Sequence, residues 1–220
     1  YGKKKVGSFS DMSSFSFYFG HQLSTIEGGM VNTNDKKLYD LLLMLRSHGW
    51  GKDLDEKTRG RLMRAYHIDD FHKPFTFFVP GFNVRSTDLN AFLGIEQMKK
   101  ADTISAIRHR NHEIYASSLQ HVEFQKWNKK AYPCSISFGA LARDVKHRMK
   151  IIKALDEHNI ETRLFSAGNL GLHPFWYMQY GKFHDSVADR VHECGFFLPN
   201  NESLEEKDIN FICDVVNKVG

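Results

Sequence analysis

The hydrophobic period of this chain switches from two to about three and a half residues, and back, several times along its length. That pattern excludes an all-helical bundle and an all-β sandwich and predicts a mixed α/β chain. Phe15, Phe17 and Phe19 alternate, as a buried strand requires, and Met30-Val31 forms a second short strand-like stretch. Asn34 or Asp35 can then accept hydrogen bonds from the first free amides of a helix. Leu38, Leu41, Leu42 and Leu45 share one face of that helix, Arg46 and His48 suit its negative pole, and Gly49 ends it. Phe77-Phe78-Val79 runs into a Pro80-Gly81 turn, after which Ser86 or Thr87 caps a segment carrying Leu89, Phe92 and Leu93.

From Ala101 to about Leu119, Ile104, Ile107 and Ile114 predict a helix long enough to connect two lobes. The domain boundary is therefore placed within it, giving residues 1–105 and 106–220. Beyond it, Pro133 to Gly139 alternates as a strand with Ile136 and Phe138 on one face, and Val145, Met149, Ile152 and Leu155 stripe a helix ending near Asn159. His184 to Cys194 reads as a helix stopped by Gly195. Ser203 and Glu206 form a capping box ahead of Ile209, Ile212, Cys213 and Val216.

Composition removes several functions. With 41% hydrophobic and 25% charged residues the 220-residue chain is not a disordered one. Lys and Arg exceed Asp and Glu by only 30 against 26, and the bases are spread out, so nucleic acid is not an expected partner. No apolar run reaches the ~18 residues of a membrane span and no leader is visible, so no membrane partner and a cytoplasmic location are expected. Three cysteines without a C-x-x-C pair predict reduced, buried thiols and no metal site. His109 and His112 share a helix face but lack a carboxylate pattern beside them. The run Lys146 to Lys150 reads as the wet face of a helix. The opening Tyr1-Gly2-Lys3-Lys4-Lys5 is expected to be a cut into a longer polypeptide.

Chemistry concentrates between Ser13 and Gly29, where an aromatic strand breaks at Gly20-His21 into Ser24-Thr25 and a glycine pair. A strand end presenting Ser16 and His21 suits an anion and a proton-transfer group. By local pattern alone, such a histidine describes a packed or hydrogen-bonded side chain before it describes a catalyst. The stretch resembles, however, the Ser-Phe-x-x-x-Lys, Thr, Glu-Gly-Gly pattern of the sugar aminotransferase and dehydratase superfamily, pyridoxal-phosphate enzymes of fold type I. The resemblance continues through Leu45-Arg46-Ser47-His48-Gly49-Trp50 and Pro80-Gly81-Phe82-Asn83-Val84-Arg85, and covers nearly the whole chain.

It implies an α/β fold: the C-terminal part of a fold type I enzyme, with the end of the large α/β domain followed by a small α+β domain. Ser16 falls on the serine that bonds the cofactor phosphate. Asn83 falls on an asparagine that reaches the cofactor of the neighbouring subunit, which implies a homodimer. Arg85 falls by the active-site cleft, and Arg163, within Ile160-Glu161-Thr162-Arg163, on a segment facing the nucleotide-sugar phosphate. His21 falls where the lysine belongs.

A lysine amine condenses with the cofactor aldehyde; imidazole cannot, yet it still moves protons near neutrality. The resemblance is therefore to the histidine-bearing branch, nucleotide-linked 4-keto-6-deoxysugar 3-dehydratases, nearest to those acting on GDP-4-keto-6-deoxy-D-mannose in colitose biosynthesis. It implies pyridoxamine 5'-phosphate or pyridoxal 5'-phosphate as cofactor, His21 as the base at the cofactor C4′ carbon, loss of the sugar C3 hydroxyl, and glutamate as amino donor. A second histidine-bearing branch uses CDP-sugars and a four-cysteine iron-sulfur cluster, which three cysteines cannot supply, although Thr162-Arg163-Leu164 and Gly168-Asn169-Leu170 are also similar to that branch. The family's aspartate to the pyridine nitrogen, its ring-stacking aromatic and its glycine-serine phosphate loop have no counterpart here, so this piece alone is expected to be inactive or marginally folded. The alternatives are an aminotransferase relative whose lysine is lost, and a non-catalytic subunit that donates Asn83 to an intact partner.

Overall fold

A computed structural model describes all 220 residues, Tyr1–Gly220. The chain forms two compact units, residues 3–99 and 100–220.

The first unit opens with an antiparallel ribbon, β1 (Met12–Ser16) against β2 (Gly29–Thr33), in a register that sets Met12 opposite Thr33 and Ser16 opposite Gly29. The expected alternation of Phe15, Phe17 and Phe19 does not bury them equally. Phe17 is half-buried, whereas Phe15 and Phe19 are exposed, because a two-stranded ribbon has no second layer over its open face. Asp35 caps α1 (Lys36–Leu45) by accepting from the amides of Lys37 and Leu38 at 2.7 and 3.0 Å. Those bonds hold its carboxyl below the usual range. The deepest residues of α1 are Leu43 and Met44, packed with Leu54, Leu62, Phe78 and Val79. The expected stripe is shifted: Leu38, Leu42 and Leu45 are half-buried and Leu41 is exposed, since the helix is gripped from the side where residues 78–79 run.

That neighbouring segment is tied to the end of α1 by backbone bonds from Phe82 N–H to the Leu45 carbonyl (2.7 Å), Val84 N–H to Arg46 (3.0 Å) and Phe78 N–H to Gly49 (2.8 Å). Gly49 adopts φ +87°, and a Cβ there would stand 1.7 Å from the Val79 carbonyl oxygen, so only glycine fits against that segment. α1 itself stops earlier than expected, at Leu45 with Arg46 as its C-cap, so Arg46 and His48 lie beyond its last turn and Gly49 does not end it. Sequence pattern did not signal α2 (Glu56–Ala65), which Asp55 caps. Thr87, one of the two expected caps, starts α3 (Asp88–Met98). Leu89 and Phe92 of α3 are exposed and Leu93 is half-buried.

The second unit is an antiparallel sheet ordered β3 (Glu123–Phe124), β4 (Ser137–Leu141), β6 (Gly195–Pro199), β5 (Arg163–Leu164), packed with α4 (Ala101–Ser118), α5 (Val145–Glu157) and α8 (Glu206–Asn217). Tyr115, Phe138, Ile151, Leu155, Phe196, Leu198 and Ile209 are almost wholly buried in one core. β4 begins later than the alternation suggests, so Phe138 and Ala140 point the strand's buried face while Ile136 lies outside it, exposed. The α5 stripe is also displaced: His147, Ile151 and Leu155 are buried, Val145 and Met149 exposed. The Lys146 to Lys150 run is consequently not uniformly wet. His147 is buried, and Arg148 donates to the His192 carbonyl at 3.2 Å.

Between α5 and β6 lie α6 (Pro174–Tyr180) and α7 (Ser186–Cys194); α7 is capped by Asp185 and so starts after His184. The cap of α8 is Glu205 paired with Asp208, not Ser203 with Glu206; the Ser203 hydroxyl donates to Asn201 instead. Its stripe Ile209, Ile212, Cys213 and Val216 is buried as expected. None of the three cysteines forms a disulfide; Cys194 and Cys213 are buried, Cys134 only partly. Burial pushes the Cys213 thiol up to about 12. No helix is long and apolar enough to cross a membrane.

Candidate functional site

The loop between β1 and β2 is closed at its base by two backbone bonds, Phe17 N–H to the Gly28 carbonyl at 2.8 Å and Thr25 N–H to the Phe17 carbonyl at 2.9 Å. Above that closure the chain turns through a bond from His21 N–H to the Tyr18 carbonyl at 3.0 Å. The half-buried His21 ring stands edge-on to Tyr18, with ring centres 5.6 Å apart. Ser16 ends β1, exposed, and its hydroxyl oxygen accepts a long 3.4 Å bond from the Tyr18 amide. A hydroxyl engaged that way can still donate to an anion.

Thr25 is buried at the base, its hydroxyl donating to the Glu27 carbonyl at 2.8 Å. A Cβ on Gly28 would come within 2.5 Å of that hydroxyl oxygen, which explains the glycine at this position. Ser16 at the end of β1 and His21 in the following turn both meet Tyr18, one through its amide and the other through its ring. A hydroxyl and an imidazole are groups compatible in chemistry with a phosphate-bearing cofactor held without a covalent bond. The sequence has no lysine between Lys5 and Lys36, so this loop offers no amine for condensation.

The other candidate residues lie elsewhere. Asn83 pairs as an isolated antiparallel bridge with Ser47, beside Phe82, whose carbonyl accepts from His48 N–H at 2.6 Å; Asn83 and Arg85 are both exposed. Arg163 belongs to the second unit, in β5, where its guanidinium meets Glu161 at 3.0 Å, both side chains exposed. Of the histidines first weighed as a metal pair, His109 bonds the Pro133 carbonyl at 2.9 Å and His112 packs edge-on against Trp127. Burial lowers the His112 pKa. No group of three or more His, Cys, Asp or Glu side chains is placed to hold a metal ion.

One contributor escaped sequence reasoning. Asn90, in the first turn of α3, donates to the carbonyls of Thr25 (2.9 Å) and Glu27 (3.1 Å), more than sixty residues earlier. The sequence pattern marks Ser86 or Thr87 as the helix cap and is silent on Asn90. Nothing in the pattern could pair its amide hydrogens with those distant carbonyls.

Comparison with known proteins places the chain as a whole. A model of the DegT/DnrJ/EryC1/StrS aminotransferase family matches residues 1–217. The GDP-4-keto-6-deoxy-D-mannose 3-dehydratase of Yersinia pseudotuberculosis is 30% identical over 223 residues, covering 98% of this chain and 56% of its own length. GDP-perosamine synthase of Escherichia coli O157:H7 is 28% identical over 221 residues, covering 99% of this chain and 54% of its own. The solved E. coli GDP-4-keto-6-deoxy-D-mannose-3-dehydratase with bound hydrated PLP has a TM-score of 0.82 at 23% identity, covering 98% of this chain and 57% of that one. The fold is therefore shared, and the chain spans little more than half the length of the relatives it matches.

Proposed function

The chain belongs to the DegT/DnrJ/EryC1/StrS aminotransferase family, and on that premise we propose that it is the C-terminal part of a pyridoxamine or pyridoxal phosphate-dependent 3-dehydratase of nucleotide-linked 4-keto-6-deoxysugars, with GDP-sugars favoured. Such a reaction serves deoxysugar and lipopolysaccharide biosynthesis in the cytoplasm. Residues 1–105 are the end of the large cofactor-binding domain and 106–220 the small domain. The observation that carries the reading is His21, half-buried on a loop whose own sequence carries no lysine.

Imidazole cannot condense with an aldehyde, so the cofactor is held by hydrogen bonds, among them one donated by the Ser16 hydroxyl to its phosphate. When bound, the cofactor would supply a pyridine ring that takes up the electron pair left by the C4′ proton and returns it to expel the C3 hydroxyl of the sugar. His21 moves the proton at the C4′ carbon, work suited to a group whose ordinary pKa is about 6.5. Asn83 reaches the cofactor phosphate of the second subunit of a homodimer. Arg85 and Arg163 bind the nucleotide sugar; for Arg163 this requires its exposed pair with Glu161, worth about 1 kcal/mol or less, to open. Glutamate is the amino donor.

The test uses the complete protein that carries this chain, given glutamate, pyridoxal phosphate and GDP-4-keto-6-deoxymannose. Mass spectrometry is expected to show a product lacking one hydroxyl oxygen, and borohydride is expected to leave no pyridoxyl group on the protein. The likeness to GDP-perosamine synthase supports a second reading, an aminotransferase; an amino sugar as the product would select it. Absence of any product would favour a non-catalytic partner subunit.

A further inference from the structure

We propose that Asn90 is a positioning residue for His21, acting through the loop base to hold the imidazole and the Ser16 hydroxyl in register; this rests on the reading of His21 as the proton-transfer group. The side chain of Asn90 is fully committed. Its two amide hydrogens go to the Thr25 and Glu27 carbonyls. Its carbonyl oxygen accepts from the Thr87 hydroxyl at 2.5 Å and the Thr87 amide at 3.3 Å. Asparagine is the shortest side chain that can donate twice on one side and accept on the other; aspartate can accept but not donate.

A second, independent feature lies between the two captured carbonyls. Ile26 adopts φ +73°, a left-handed conformation that is unfavourable for a β-branched residue. Its side chain is 63% exposed, so packing does not hold it there. The surrounding bonds do: Asn90 grips the carbonyl on either side, and the Ser24 hydroxyl oxygen accepts from the Ile26 amide at 3.0 Å. Gly94, one turn further along α3, leaves room for the Thr25 methyl; a Cβ there would stand 3.2 Å from it. A strained residue kept in place by polar clamps is what a loop needs when its geometry matters more than its stability.

The experiment compares Asn90→Asp with Thr87→Ala in the complete protein. Asn90→Asp keeps the shape and the acceptor for Thr87 but turns lone pairs toward two carbonyls; Thr87→Ala removes the cap and leaves both clamp bonds. Two quantities are read: the dissociation constant of pyridoxamine phosphate, and the imidazole NMR resonances and titration of His21 in cofactor-free protein. Asn90→Asp is expected to weaken cofactor binding by more than threefold, on the order of tenfold, and to move the His21 resonances. Thr87→Ala is expected to lower the melting temperature while leaving both within twofold of the parent. A loss under threefold with unmoved His21 resonances, or an equal loss in Thr87→Ala, overturns the proposal. Failure of the parent to bind pyridoxamine phosphate would instead defeat the cofactor assignment, and the His21 resonances would still judge the clamp.

Discussion

The two units use opposite means of holding shape. Residues 100–220 enclose a continuous apolar core in which Tyr115, Phe138, Ile151, Leu155, Leu198 and Ile209 are almost inaccessible. Residues 3–99 have a small cluster around Leu43, Met44 and Leu54, and leave Phe15, Phe19, Leu89 and Phe92 exposed. The loop bearing His21 sits in the second kind of environment and is fastened by directed hydrogen bonds at Phe17, Thr25 and Asn90. Apolar burial fixes a fold but tolerates small shifts, whereas hydrogen bonds of defined length fix a reacting group.

The largest effect should come from the larger core. Phe138→Ala is expected to cost about 3–5 kcal/mol, since the buried ring packs against Tyr115, Phe124 and His112 and its removal leaves a cavity among them. Leu54→Ala in the small cluster should cost closer to 2 kcal/mol, because a shallow site relaxes into the space. Urea denaturation of the complete protein, following a probe in each unit, measures both. Equal costs would break the contrast.

A smaller, pH-dependent difference is expected in the same core. Burial is the main cause lowering the pKa of both His112 and His147 below the ordinary 6.5. His147 accepts from the Arg143 amide through Nδ1 at 3.3 Å, and its Nε2 is buried without a partner. The unfolded chain therefore binds protons that the folded unit refuses. Stability from these histidines is complete above pH 6.5 and falls as pH drops through that value toward the lower folded pKa. The urea midpoint of the second unit should decline between pH 7.5 and 5, and His147→Gln should flatten the decline. A midpoint insensitive to pH in both proteins would count against the burial argument.

How far the sequence disclosed this arrangement follows from the kind of interaction involved. Local rules served well where a residue acts on its own neighbours: Asp35 capping α1, Thr87 capping α3, the stripe of α8. They slipped where burial depends on a distant partner. Met149 lies on a plausible apolar stripe yet is exposed, and His147 reads as polar surface yet is buried. The strand end and turn that carry Ser16 and His21 were legible because the two residues stand only five positions apart. The Asn90 clamp was not, because a hydrogen bond to carbonyls 63 and 65 residues away leaves no periodic trace.

The smallest effect is the most specific to the loop. Replacing Ile26 by glycine removes a left-handed penalty of roughly 1–2 kcal/mol, while glycine's greater freedom in the unfolded chain takes back about 0.5–1 kcal/mol. A net gain of roughly 0.5 kcal/mol in stability is expected from these opposed terms. If Asn90 holds that strain in place, the two sites must couple: combining Ile26→Gly with Asn90→Asp should destabilise by less than the sum of the separate changes. Thermal melts of the four proteins give the coupling directly. Strict additivity would mean that the strain at Ile26 is borne by the ribbon itself and that the clamp serves α3 alone.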